Sequence, residues 1–88
     1  MDMTGKVVLV TGGGSGMGRL ACQLMSRRGA RVLALDVNEQ GLAETAAGDA
    51  GIVTRCLDVT DFAAVDAALR EAEATLGPVH RVYNAAAI

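Results

Sequence analysis

Four short apolar runs punctuate this chain. Between them, apolar residues recur every three to four positions. The runs are Lys6–Val10, Arg31–Leu35, Ile52–Leu57 and Val79–Asn84, and each reads as a strand. Nearly continuous apolar character, rather than strict alternation, is the pattern of strands covered on both faces. The third run interleaves Thr54 and Arg55, which places it nearer a sheet edge. Met17, Leu20, Ala21, Leu24 and Met25 follow the i, i+3, i+4, i+7, i+8 rhythm of an amphipathic helix, and this stripe is the expected buried face. A shorter helix is expected around Leu42, Ala43 and Ala46, and a third with Phe62, Val65, Leu69, Ala72 and Leu76 as its apolar stripe.

Local signals mark where these elements start and stop. Arg27 and Arg28 fall in the last turn of the first helix, where positive charge suits the dipole, and Gly29 follows as its C′ residue. Asn38 caps the second helix and Gly48 ends it. Asp58 or Thr60 opens the third, and Gly77-Pro78 ends it, because proline cannot continue the ladder.

The resulting order, β-α-β-α-β-α-β with short connections, predicts an α/β fold with a parallel sheet and helices on its faces. Right-handed crossovers set strands three, two and one side by side. Strand four then returns to the far side of strand one, giving the order 3-2-1-4 of a doubly wound sheet. In such sheets ligands bind where the winding reverses, beyond the C-terminal ends of the strands.

Composition narrows the class. The 88 residues form one small domain at most, 51% hydrophobic and carrying a net charge of −2. With a pI of about 5.1 there is no basic excess to neutralise phosphates, and Phe62 and Tyr83 alone offer no stacking platform, so nucleic acid is not an expected partner. No apolar run approaches the roughly 18 residues of a membrane helix. The N-terminus lacks a basic stretch ahead of an apolar one, so the expectation is a cytoplasmic protein without membrane attachment. Cys22 and Cys56 lack metal-ligand or CxxC spacing and are both expected to be buried small apolar residues. His80 falls at the far end of its strand from the ligand rim, with no companions for a metal site.

The chemistry lies on that rim. Thr11-Gly12-Gly13-Gly14-Ser15-Gly16-Met17-Gly18 follows the first strand and opens the first helix. Glycines allow a tight turn and close approach of a ligand, while the helix start presents unpaired N–H groups and partial positive charge. The natural occupant is a dinucleotide pyrophosphate. The glycine spacing is T-G-x-x-x-G-x-G rather than G-x-G-x-x-G. Asp36, at the tip of strand two, is placed to accept hydrogen bonds from the adenosine ribose hydroxyls; the bland alternative is a solvated acid. A 2′-phosphate about 4 Å from that carboxylate would meet repulsion on the order of 4 kcal/mol at an effective dielectric of about 20. The neighbours Ser15 and Val37 are not basic, and helix and strand geometry directs Arg19 and Arg31 elsewhere, so NAD(H) is expected over NADP(H). Asp58 and Val59 end strand three beside the adenine position, with Asp58 also able to cap the next helix. The small residues after Asn84, namely Ala85, Ala86 and Ala87, permit either close ligand approach or dense packing. Tyr83 reads as a core residue.

Thr11-Gly12-x-x-x-Gly16-x-Gly18, Asp36, Asp58-Val59 and Asn84-Ala85-Ala86-Ala87-Ile88 together resemble the N-terminal half of the short-chain dehydrogenase/reductase family. The resemblance runs in order along essentially the whole chain. It implies a Rossmann-type, three-layer α/β/α domain and an NAD(P)-dependent oxidoreductase acting on a small alcohol or ketone, usually as a homo-oligomer. It also implies that Gly12, Gly16 and Gly18, with Gly14, Ser15 and Met17 between them, line the pyrophosphate, and that Asp36 with Val37 meets the ribose. Asp58 and Val59 would flank the adenine, Asn84, Ala85 and Ala86 would lie near the adenosine ribose, and Ile88 near the path to the nicotinamide. One departure is plain: the family's usual N-N-A-G at strand four reads Asn84-Ala85-Ala86-Ala87 here.

The same resemblance places the catalytic serine and the Y-x-x-x-K pair beyond Ile88. Tyr83 and the single lysine, Lys6, do not fit that pair, so no catalytic residue and no metal ligand is assigned. Strand four would present an exposed apolar edge. The expectation is therefore an incomplete domain, continued by further polypeptide or completed by another chain. A non-catalytic dinucleotide-binding or redox-sensing module is the alternative. A methyltransferase using S-adenosylmethionine is disfavoured by the glycine spacing.

Overall fold

The structure, a computed structural model, is described for residues 2–85, so the roles expected of Ala86, Ala87 and Ile88 lie outside the described residues. Seven elements follow in order: β1 (Val7–Thr11), α1 (Gly16–Arg27), β2 (Arg31–Asp36), α2 (Glu39–Ala46), β3 (Ile52–Cys56), α3 (Phe62–Thr75) and β4 (Arg81–Asn84). The strands form one sheet in the order β3-β2-β1-β4, as expected, and every pair is parallel. The register sets Val10 beside Ala34 and Tyr83, and Leu9 beside Leu33 and Val82.

Side chains alternate across this sheet, so each face builds its own core. Val8, Val10, Val32, Ala34 and Ile52 pack with Cys22 of α1 and Leu42 of α2. On the other face, Leu9, Leu33 and Leu35 pack with Ala68 and Ala72 of α3, and Leu69 and Leu76 lie against them. The helices therefore fall on both faces: a three-layer, Rossmann-like α/β/α arrangement whose winding reverses between β1 and β4. No described helix is long and apolar enough to cross a membrane.

The glycine at the end of α1 behaves as expected. Gly29 has φ +98°, its N–H donates to Ser26 O at 3.0 Å, and the Ala30 N–H donates to Met25 O at 3.1 Å. These two bonds form a Schellman motif, which turns the chain straight into β2. At the same end of the sheet, His80 holds Val7 twice: its N–H donates to Val7 O (2.8 Å) and its Nδ1 accepts the Val7 N–H (3.1 Å).

The expected stripe of α1 is rotated from its predicted face, whereas that of α3 holds at Leu69, Ala72 and Leu76 and fails at Phe62. In α1, Met17 (67% exposed), Leu20 and Leu24 point away from the core, and the helix rests on Gly18 and Cys22, with Met25 packed alongside. A glycine contact lets α1 approach the Gly12–Gly13 backbone more closely than a leucine contact could. In α3, Phe62 is 81% exposed at the first position of the helix, and the buried contacts are the small residues Ala68 and Ala72. The cap of α3 is Asp61, which accepts the Ala64 N–H at 3.2 Å, rather than Asp58 or Thr60.

Two further expectations are corrected. Cys22 is buried, but Cys56 is exposed, because it ends β3 at the edge of the sheet. Tyr83 is exposed rather than in the core: among the described residues β4 pairs only with β1, and all four of its residues are exposed.

Candidate functional site

The C-terminal ends of the strands carry the site. The loop Gly12–Ser15 leaves β1 and enters α1, and its first residue bends back on β2: the N–H groups of Gly12 and Gly13 both donate to Leu35 O, at 2.8 and 3.1 Å. This bend needs the left-handed backbone of Gly12 (φ +74°). Ser15 caps α1 with extended backbone, but its side chain accepts no hydrogen bond from the helix, and the first turn holds no acidic residue. The leading N–H groups of α1 therefore lack a side-chain cap from Ser15 and a carboxylate in their own turn, which suits an anion.

Asp36 ends β2 beside this loop. Its Oδ2 accepts the Gly14 N–H at 2.9 Å and its Oδ1 accepts the Asn38 N–H at 3.0 Å. A carboxylate oxygen accepts two hydrogen bonds, so each oxygen keeps capacity for one more donor. A Cβ at Gly14 would lie 2.8 Å from Asp36 Oδ2, so a side chain there would displace this carboxylate.

A cleft of about 180 Å³ opens next to Asp36, lined by Gly12, Asp36, Val37, Leu57, Asp58 and Val59. Five of these were expected from sequence, and Leu57 was not. Asp58 turns one oxygen inward to its own loop, where Oδ1 accepts the N–H (2.9 Å) and Oγ1 (2.7 Å) of Thr60. Those hydrogen bonds hold its carboxyl below the ordinary value.

On the other side of β1, Asn84 Oδ1 accepts the Thr11 hydroxyl at 2.6 Å, and the Ala85 N–H donates to Thr11 O at 3.0 Å. Thr11 thus ties the tip of β4 to the start of the glycine loop. Ser15, Gly16 and Met17 stand exposed at the head of α1, and Gly18 lies beneath them. The structure gathers the expected residues of the loop and of β2, β3 and β4 along one edge of the sheet. Ala86 lies outside the described residues.

Arg19 and Thr45 were not expected in the site, yet they sit directly behind the loop. The Arg19 guanidinium donates to Gly14 O at 2.7 Å and to Thr45 Oγ1 at 3.1 Å, and it meets Glu44 at 3.2 Å. Thr45 Oγ1 lies 2.6 Å from Gly13 O. Gly41, a glycine inside α2, was the one sequence signal: it marks close backbone approach, and a Cβ there would overlap Gly14 O. A larger hollow of about 460 Å³, bordered by Arg31, Gly51 and Leu76, lies at the opposite ends of the strands and holds none of the expected site residues. Among the described residues, no cluster of three or more metal-ligating side chains is present.

A parallel sheet wound both ways, with a glycine loop entering a helix and a carboxylate at the tip of the next strand, defines a nucleotide-binding α/β fold. The family is narrower. A profile described as short chain dehydrogenase matches residues 6–88, and the chain belongs to that family. It is 35% identical over 91 residues to levodione reductase of Leifsonia aquatica, covering 97% of this chain and 34% of that protein. It is 36% identical over 86 residues to human L-xylulose reductase, covering 98% of this chain and 34% of that protein. The crystal structure of a 3-ketoacyl-(acyl-carrier-protein) reductase from Brucella melitensis, complexed with NADH, superposes with a TM-score of 0.86 at 30% identity, over 92% of this chain and 34% of that one. The chain thus spans about a third of the length of the relatives it matches.

Proposed function

We propose that this chain forms the dinucleotide-binding part of an oxidoreductase that transfers hydride between NAD(H) and a secondary alcohol or carbonyl compound. The carrying observation is the Asp36 carboxylate, fixed by two backbone N–H groups, with an acceptor position left on each oxygen. Two ribose hydroxyls are matching donors. The glycine loop fits the adjoining diphosphate: Gly16 has φ +57° and nothing within 4 Å of where a Cβ would stand.

In this reading Gly12, Gly14, Ser15, Gly16, Met17 and Gly18 hold the diphosphate with backbone N–H groups and the end of the α1 dipole. Asp36 and Val37 hold the ribose, Asp58 and Val59 border the adenine, and Asn84 and Ala85 close the β4 side. When bound, the nicotinamide supplies or accepts the hydride. The residues of this chain bind and orient, and none is assigned a proton-transfer role. The NADH-bound Brucella reductase and the relatives named as reductases support the activity.

NAD(H) is preferred over NADP(H) because a 2′-phosphate would face Asp36, and the guanidinium behind the loop is already engaged. Arg19 donates to Gly14 O and pairs with Glu44, and Arg31 stands at the opposite end of β2. Fluorescence titration of the full polypeptide tests this, with NADH expected to bind more tightly than NADPH. Tighter NADPH would overturn the preference, and no binding of either would overturn the dinucleotide reading.

A further inference from the structure

We infer that Thr45 and Arg19, on α2 and α1, are positioning residues for the ribose-binding carboxylate. They fix the Gly13–Gly14 and Gly14–Ser15 peptides, and through the first of these, Asp36. The inference rests on the dinucleotide reading above and extends it to two residues that touch no ligand.

The geometry follows from one planar peptide. In a trans peptide, the C=O of one residue and the N–H of the next point in opposite directions. Gly13 O and the Gly14 N–H belong to the same peptide. Its oxygen is held by the Thr45 hydroxyl at 2.6 Å, and its N–H is held by Asp36 Oδ2 at 2.9 Å. The plane is pinned at both ends, so the Thr45 hydroxyl sets the direction in which Gly14 meets the carboxylate.

The next peptide is pinned the same way at its oxygen. Arg19 Nη2 donates to Gly14 O at 2.7 Å, which turns the Ser15 N–H to the opposite side. The two side chains are coupled, because Arg19 Nε donates to Thr45 Oγ1 at 3.1 Å. A hydroxyl has one proton to give. With Arg19 as its donor, Thr45 is left to direct that proton at Gly13 O, the shorter of its two carbonyl contacts; Gly41 O lies at 3.0 Å.

Thr45 is also 1% exposed, the one fully buried polar side chain among the described residues. A buried hydroxyl is costly unless it is hydrogen-bonded. Its polar neighbours are a carbonyl of the glycine loop, a carbonyl of its own helix and Arg19.

The test compares ADP with 2′-deoxy-ADP by calorimetry on the full polypeptide. The unaltered protein is expected to prefer ADP. In Thr45→Val, which keeps the shape and removes the hydroxyl, ADP affinity should fall about ten-fold and the preference should shrink toward one. Thr45→Ser should restore both. On an Asp36→Ala background, Thr45→Val should cause no further loss of ADP affinity. Arg19→Gln, altered at a side chain 30% exposed and so tolerated by the core, should move the preference in the same direction as Thr45→Val.

If Thr45→Val and Arg19→Gln fold and keep the full ADP preference, the positioning role is overturned. An ADP loss that adds in full to that of Asp36→Ala overturns it too. If Thr45→Val does not fold, the Arg19→Gln preference decides alone. Failure of the unaltered protein to bind ADP would instead overturn the dinucleotide reading.

Discussion

Gly18 lies so close to the carbonyl oxygen of Gly12 that a β-carbon on it would overlap that atom. The contact is backbone to backbone, with no flexible side chain to move aside. Gly18→Ala is therefore expected to destabilise the protein by about 3 kcal/mol or more, at the upper end of overpacking costs. Gly16→Ala meets no atom but must hold φ +57°, at about 1–2 kcal/mol. Urea denaturation of the two variants checks the order, and equal losses would contradict it.

Asp36→Ala removes a charged acceptor from the rim. Hydrogen bonds to charged groups contribute about 1.5–3 kcal/mol, which is roughly ten- to a hundred-fold in affinity. NADH binding should weaken by that factor while NADPH binding weakens less, because repulsion toward a 2′-phosphate is lost as well. Parallel fluorescence titrations measure both, and equal losses would argue against the ribose role.

The two cysteines should react differently. Burial pushes the Cys22 thiol up to about 11, whereas Cys56 is exposed at the end of β3. Only the thiolate is nucleophilic. Brief alkylation of the native protein near neutral pH should modify Cys56 and leave Cys22 untouched until the chain unfolds. Peptide mass spectrometry reads this directly, and early labelling of Cys22 would refute its burial.

Asp58 gives a pH dependence of definite sign. The Thr60 N–H and hydroxyl stabilise its charged form and lower its folded pKa below the ordinary 3.8. Its contribution to stability is full above that ordinary value and is lost as pH falls through the lowered one. Thr60→Val removes the hydroxyl donor, so the Asp58 midpoint should rise toward 3.8. A carboxyl-carbon NMR titration follows the change, and an unmoved midpoint would show that the hydroxyl contributes nothing.

The strands and their order were legible because continuous apolar runs and right-handed crossovers leave few alternatives. The face of α1 and the first residue of α3 were not. Periodicity weights Met17, Leu20 and Phe62 by their hydrophobicity, whereas the packed contacts it passed over are Gly18, Cys22 and Ala68. Close packing on a sheet favours small residues, and a hydrophobic pattern does not register that. In the site, each rim position sits at a strand end and could be located by counting along the chain. Thr45 and Arg19 could not, since their partners are loop carbonyls brought together only by the packing of α1 against α2.

The engagement of Arg19 bears on any attempt to redesign cofactor choice. Erasing the negative charge at Asp36 would remove an obstacle without providing a counter-ion, because the Arg19 guanidinium is locked behind the loop by Gly14, Thr45 and Glu44. A working swap would have to import a new cation, and Val37, 67% exposed on the lip of the cleft, is the natural place to install it.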